Sequence, residues 1–334
     1  MDPLTQGVLG TSATQVVANH REKLMAGLLG FFSGAAADLD VLIKSVDDPL
    51  LALEYHRQFT HALIFIPIGA LLCAGLFYGL IFRKKLTFVR TYIFCFAGYS
   101  THALLDACTT YGTQLLWPFS DQRIAWNNVS VVDPLFTVPL MVLVGMAMLK
   151  RSHALAVSGV IYVVFYLSLG VFQNSRAENI AGQLAASRGH QPVTLGVKPS
   201  FANLIIWKSV YEYRGRFYVD GIRILLNTSV IEGSSTEKLD LARHFPWLKP
   251  TSQQARDVER FRWFSNQHLG IDPDNPQRII DIRYSLIPNR MDGMWGVVLN
   301  RDADQGAHVK WTTTRPQGAE INQSFATLWS MIKG

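Results

Sequence analysis

The sequence predicts an α-helical membrane bundle of five or six transmembrane helices, followed by a small soluble domain that is α+β or mostly β. Three observations carry this. Ala62–Phe82 and Ala154–Phe172 are uncharged, mostly apolar runs, each about as long as the roughly 20 helical residues a bilayer core requires. Charge is unevenly placed: 17% of the 334 residues are charged, below the roughly 25% of an average soluble protein, and they thin out over the first 172 residues. From residue 173 onward the composition is that of an ordinary soluble chain. The expected domains are therefore 1–172, membrane-embedded, and 173–334, soluble.

Three further spans are expected at Leu24–Ala37, Thr91–Leu105 and Pro134–Leu149. Pro3–Ala18 is uncharged but only mildly apolar; it is the sixth candidate, with Asp2 as N-cap and Pro3 in the first helical position. The short basic loops set orientation. Arg21 with Lys23, Arg83-Lys84-Lys85 with Arg90, and Lys150-Arg151 all fall on one side of an alternating path. Placing them in the cytoplasm puts residues 173–334 on the periplasmic side. The net charge of +6 is scattered over such loops, which gives no footprint for nucleic acid. Cys73, Cys95 and Cys108 lie in the apolar half and read as packing residues. The N-terminus lacks the pattern of a cleavable signal.

Ionisable residues in or at a membrane are costly and tend to be functional. His102 and Asp106 are four apart, so one helix face carries both. His56 and His61 precede the span Ala62–Phe82 and fit a helix start or turn. Asp38 and Asp40, two apart, are expected on a loop leaving the second helix. The orientation, set without these residues, gathers them near one membrane face together with Asp133, Asp2 and Gln6. Histidine and aspartate are the ligands that divalent transition metals favour, and the set suffices for one ion or two. The expected cofactor is a divalent metal, zinc with manganese as the alternative. Asp40, His56, His61, His102 and Asp106 are its ligands, Asp38 a general base, and Arg57 or Arg123 the holder of an anionic group. His20, His153, Asp47 and Asp48 read as loop residues.

The segments Asp-Pro-Leu-Thr-Gln-Gly at 2–7, Ala-Asp-Leu-Asp at 37–40, His-Arg-x-x-Thr-His at 56–61 and His-x-x-x-Asp at 102–106 occur in that order. So arranged, the first half of the chain resembles the YdjM-type family of inner-membrane metal-dependent hydrolases, described as LexA-regulated. Tyr111–Ser120 followed by Asp133-Pro134 also fits. The resemblance implies a multi-pass protein of the bacterial inner membrane, with Asp38, Asp40, His56, His61, His102 and Asp106 at a metal centre. One departure matters: relatives carry a histidine near the N-terminus where this chain has Gln6, a poor zinc ligand. A distant similarity to zinc-dependent phospholipases favours a phosphoester over an amide. The expected partners are membrane lipids and a small-molecule or lipid substrate. The alternatives are an ion or proton transporter built on the His/Asp set, and a non-catalytic scaffold with a structural metal.

In the second half, Arg216–Leu226, Arg278–Leu286 and Gly296–Asn300 read as strands, and Gln253–Phe264 and Ser324–Ile332 as helices. Asp220-Gly221 is either a turn or a strand bulge. His190, His244, His268 and His308 have no ligand spacing. Arg260, Arg262, Trp247 and Trp263 either touch lipid headgroups or form a packed aromatic core with solvated arginines.

Overall fold

The computed structural model describes residues 1–314 and 317–334. It consists of a helical N-terminal region and a C-terminal domain of two antiparallel sheets. The helices are α1 (Pro3–Val17), α2 (Lys23–Ala35), the short α3 (Leu51–Tyr55), α4 (Ile66–Phe77), α5 (Phe88–Ala107), α6 (Pro134–Leu149) and α7 (His153–Ser187). Among the described residues three helical segments are long and apolar enough to cross a membrane: Lys23–Leu42, Leu63–Phe82 and His153–Ser187. Pro134–Leu149 is apolar but shorter.

The ends of these helices follow from local chemistry. Asp2 caps α1, accepting from the Thr5 amide at 3.0 Å, and Pro3 needs no amide partner in the first turn. Asp133 caps α6 through the Leu135 and Phe136 amides and accepts the Tyr166 hydroxyl at 2.8 Å. It is thus a structural residue of α6. α1 and α2 pack at a stretch of small residues. A side chain at Gly10 would run into the backbone of Gly30 and Gly34, so this close helix approach requires glycine, as is common between membrane helices. Ala26, Leu29, Ala70, Ala74, Phe94, Cys95 and Tyr99 fill the adjoining core.

Contacts divide the chain into two compact units: Met1–Ile43, Tyr55–Val171 and Phe201–Asn203 in the first, Lys44–Glu54, Phe172–Ser200 and Leu204–Gly334 in the second. This differs from a single cut after residue 172 in two short segments. Lys44–Glu54 joins the second unit because Arg260 holds it. Its guanidinium donates to both oxygens of Asp48, at 3.0 and 2.8 Å, and pairs with Glu54 and Asp257. Asp48 is therefore no solvated loop charge, and Arg260 is committed to Asp48, Glu54 and Asp257.

The second unit contains β1 (Thr194–Pro199), β2 (Ile206–Tyr213), β3 (Arg216–Ile224) and β4 (Thr228–Glu237), paired in that order. After α8 (Leu241–His244) and α9 (Gln253–Phe264) come β5 (Leu269–Asp272), β6 (Asn275–Asp281), β7 (Trp295–Val298) and β8 (Lys310–Thr313), again in order, and then α10 (Ala319–Lys333). Val210, Phe217, Val219, Ile280, Ile282 and Met291 form a core shared by the two sheets. Asp220-Gly221 lies inside β3, where the register shifts between Val219 and Gly221; the dipeptide is a bulge. Its carboxylate takes two hydrogen bonds from Arg188, at 2.7 and 2.9 Å, and that partner explains why a polar residue is buried there. His190 stacks on Tyr213 and bonds the Tyr211 hydroxyl.

Lys208 of β2 is 1% exposed and donates to Ser285 Oγ and the Arg290 carbonyl, at 2.8 and 2.9 Å. Burial, aided by the nearby Lys198 charge, brings its amine down from 10.5 to about 7. Between those two values the unfolded chain holds a proton that the folded chain has released, so this lysine makes stability rise with pH across that window. Below it both states are protonated and the fold bears the full cost of the buried charge. Six of the eight tryptophans lie in this unit, so tryptophan fluorescence reports its unfolding. We expect the melting midpoint of Lys208→Met to exceed that of wild type near pH 6 and the gap to shrink toward pH 10. A gap independent of pH would rule this account out.

Candidate metal centre

Four side chains converge within the helical unit. Asp38, His61, His102 and Asp106 each offer one ligand atom, all within 4.8 Å of one another, and could hold a metal ion. Asp106 and the two histidines are fully buried, and the Asp38 side chain is 14% exposed.

Each is set by its element. His102 and Asp106 lie one turn apart on α5, as the spacing predicts. Asp38 and Asp40 lie on a 3-10 helix, Ala36–Leu42, that continues α2 where a loop was expected. At about 120° per residue in a 3-10 helix, positions two apart diverge, and the two carboxylates do different things. Asp38 Oδ1 faces His61 Nε2 at 3.6 Å and His102 Nε2 at 3.3 Å. Asp40 faces away, accepting from His56 Nδ1 at 2.7 Å, from the Arg57 amide at 2.9 Å and from the Thr60 hydroxyl at 2.9 Å. His61 ends a 3-10 turn, Phe59–His61. Arg57 has a φ of 65°, a left-handed conformation uncommon outside glycine, and its side chain is buried.

The hydrogen bonds fix the histidine tautomers. His102 Nδ1 is 2.5 Å from the Gly34 carbonyl, which can only accept, so Nδ1 carries the proton. Thr60 donates to Asp40, so its oxygen accepts from His61 Nδ1 at 2.9 Å. With both rings neutral, both Nε2 atoms then present lone pairs to the cluster. Among the described residues both lack a hydrogen-bond partner although buried, and an unsatisfied buried acceptor is costly. A cation between them would satisfy both. The four histidine–carboxylate separations are 3.2, 3.3, 3.6 and 3.6 Å. Ligands at the usual zinc distances in a tetrahedron are about 3.3–3.4 Å apart, so the donors suit such an ion. Asp40, 3.3 Å from His61 Nδ1, together with Thr60 supplies the outer carboxylate–histidine support typical of metal sites. A second grouping, Asp38, Asp40 and His56, shares Asp38 with the first.

The remaining expected residues are nearby in different roles. Arg57 Nε lies 2.9 Å from Asp106 Oδ2, and its Nη1 donates to Thr109 at 2.9 Å; the guanidinium serves as Asp106's counter-ion. Gln6 Nε2 donates to Asp106 Oδ1 at 2.8 Å and to the His102 carbonyl at 3.3 Å, so it supports the cluster by hydrogen bonds. The Met1 amino group also pairs with Asp106. Arg123 is partly exposed; it donates to the carbonyls of His56 and Gly112 and lies over the Tyr111 ring, whose centroid Arg57 also approaches at 4.7 Å. Thr60 and Tyr111 lay inside the quoted motifs without an assigned role, and Thr109 was not singled out from the sequence. Hydroxyls and rings carry no spacing signal, and only the fold shows what they touch.

A family model described as "YdjM inner membrane protein" matches residues 1–177, more than half of the chain and all of this cluster. The inner membrane protein YbcI of Escherichia coli (strain K12) is 40% identical over 81 residues, 23% of this chain and 44% of that protein. The uncharacterized protein YfhP of Bacillus subtilis (strain 168) is 25% identical over 129 residues, 38% of each chain. The matched stretch is thus less than half the length of either relative. No solved structure matches. With its apolar helices and a buried His/Asp cluster that could hold a metal ion, the chain belongs to the YdjM inner membrane protein family.

Proposed function

We propose that this protein is a membrane-bound, metal-dependent hydrolase that acts on a phosphoester or lipid-linked substrate at the outer face of the inner membrane. The observation that carries this reading is the pair of buried, partnerless imidazole nitrogens facing Asp38 and Asp106. His61, His102, Asp106 and Asp38 would hold a divalent cation, zinc or manganese, which when bound lowers the pKa of water and polarises a substrate oxygen.

The protein's own groups have distinct tasks. Asp106 brings negative charge, balanced by Arg57. Asp40 and Thr60 orient His61, and the Gly34 carbonyl orients His102. Asp38 is the most exposed of the four, so substrate approaches from its side. Arg123, partly exposed, is the expected cation for an anionic substrate group, while Arg57 is turned to Asp106. In this reading the chain crosses the membrane five or six times, with residues 173–334 on the periplasmic side. Access from one side favours a hydrolase over an ion relay, which needs a path through the bundle.

The test is elemental analysis of the detergent-purified full-length protein beside a His61→Ala/His102→Ala variant. Near-stoichiometric zinc or manganese is expected in the wild type and none in the variant, with phosphodiester and phospholipid hydrolysis lost in parallel. Wild-type protein that stays metal-free after reconstitution would overturn the reading.

A further inference from the structure

The second unit leaves a set of apolar side chains exposed around one end of α7. The apolar stretch of α7 ends at Phe172, which is 60% exposed. From Gln173 onward the helix becomes polar and grips the β3–β4 hairpin. Gln173 donates to the carbonyls of Leu204 and Ile224, both at 3.2 Å, and Arg176 to the Leu225 carbonyl at 2.9 Å. Arg176 lies about 6 Å along the helix axis from Phe172, at 1.5 Å per residue, and its guanidinium sits over the Phe172 ring. The hairpin tip is therefore held at the level where the apolar stretch stops. That tip is Leu225-Leu226-Asn227, and Leu226 is wholly exposed.

α10 is tied to the same place. Arg223, at the end of β3, donates to the Ile332 and Lys333 carbonyls at 2.9 and 3.0 Å. α10 buries Leu328 and leaves Ile321 and Trp329 exposed; these are two turns apart on one face. Lys333 lies over the Trp329 ring. A tryptophan and an aliphatic residue on the open face of an amphipathic helix, with a lysine at the edge, suit the boundary between lipid headgroups and acyl chains.

We propose that the β3–β4 tip and the outer face of α10 form a membrane-interface anchor, which seats Leu226 and Trp329 in the headgroup–acyl boundary of the bilayer that α7 crosses. The occupant is lipid because the exposed residues continue, through Phe172 and Arg176, the apolar surface of a helix long enough to span. This rests on α7 being a transmembrane helix and is independent of any metal or catalysis.

The test uses full-length protein in phosphatidylethanolamine–phosphatidylglycerol vesicles. A nitroxide is attached at Leu226→Cys and, separately, at Glu259→Cys, an exposed position on α9. Labelled wild type gives the background from the native cysteines, two buried and one half-buried. Leu226 makes no side-chain packing that substitution would lose. At 226, collisions with oxygen should exceed those with a water-soluble nickel chelate severalfold, and at 259 the order should reverse. A second readout needs no label: lipids brominated on the acyl chain should quench wild-type emission more than that of Trp329→Phe. Free access of the chelate to 226, with no quenching difference, would overturn the anchor. Protection from both reagents would overturn it as well, since it would mean a protein partner or a second copy covers the tip.

Discussion

Asp106→Ala is expected to destabilise the metal-free helical unit by about 3–5 kcal/mol, the usual cost of removing one member of a buried ion pair. Arg57 is almost wholly buried, and the Asp106 carboxylate 2.9 Å away is its counter-ion. The same carboxylate receives the Met1 amino group and Gln6. Removing it leaves the Arg57 guanidinium in a dry interior without its counter-charge. Comparison of metal-free proteins matters, because a ligand that binds only the folded state adds its own stability. The double variant Asp106→Ala/Arg57→Met separates the two roles. It should recover much of the lost thermal stability, since an apolar side chain can replace a broken pair, and it should recover no metal. Equal melting midpoints for wild type and Asp106→Ala would refute the assignment of Arg57 as counter-ion. A double variant no more stable than the single one would do the same.

Asp40→Asn should weaken metal binding by about 10–100-fold while leaving the stoichiometry unchanged, the range typical for loss of a supporting carboxylate behind a ligating histidine. Asp40 accepts from His56, from the Arg57 amide and from Thr60, and Thr60 in turn accepts from His61. Asparagine keeps the shape but replaces one acceptor oxygen with a donor amide, so His56 or Thr60 must turn. Asp38→Ala, by contrast, removes a candidate ligand and should abolish binding. Competition with a calibrated chelator measures both. Unchanged affinity in Asp40→Asn would sink the supporting role. Loss of one of two equivalents would instead make Asp40 a ligand to a second ion in the grouping with Asp38 and His56.

The sequence was most legible where chemistry is periodic or local. The i, i+4 spacing put His102 and Asp106 on one face of α5, and an aspartate before a proline marked the start of α1. It was least legible where partners are distant. Asp48 looked like a solvated charge because Arg260, which neutralises it, lies 212 residues away. Arg57 resembled an anion holder because nothing in His-Arg-x-x-Thr-His reveals that its guanidinium turns inward to Asp106. The sequence reading made Asp40 a ligand and Asp38 a base, whereas the 3-10 geometry of Ala36–Leu42 turns Asp38 toward His61 and His102 and Asp40 toward His56 and Thr60. At Asp220-Gly221 the same dipeptide suits a turn or a bulge, and the Arg188 pairing goes with the bulge.

The clasp on Lys44–Glu54 also bears on the order of events during synthesis. The chain passes through the second unit between Asp40 and His56, and the arginine that holds this detour is made 212 residues after Asp48. At about 5–20 residues per second, the ribosome needs roughly 10–40 s to deliver it. Until then Asp48 lacks that partner, although all four candidate ligands have already been made. A nascent chain halted before residue 260 carries all four candidate ligands, which lie within the first 106 residues, and has not yet made the arginine that holds Lys44–Glu54.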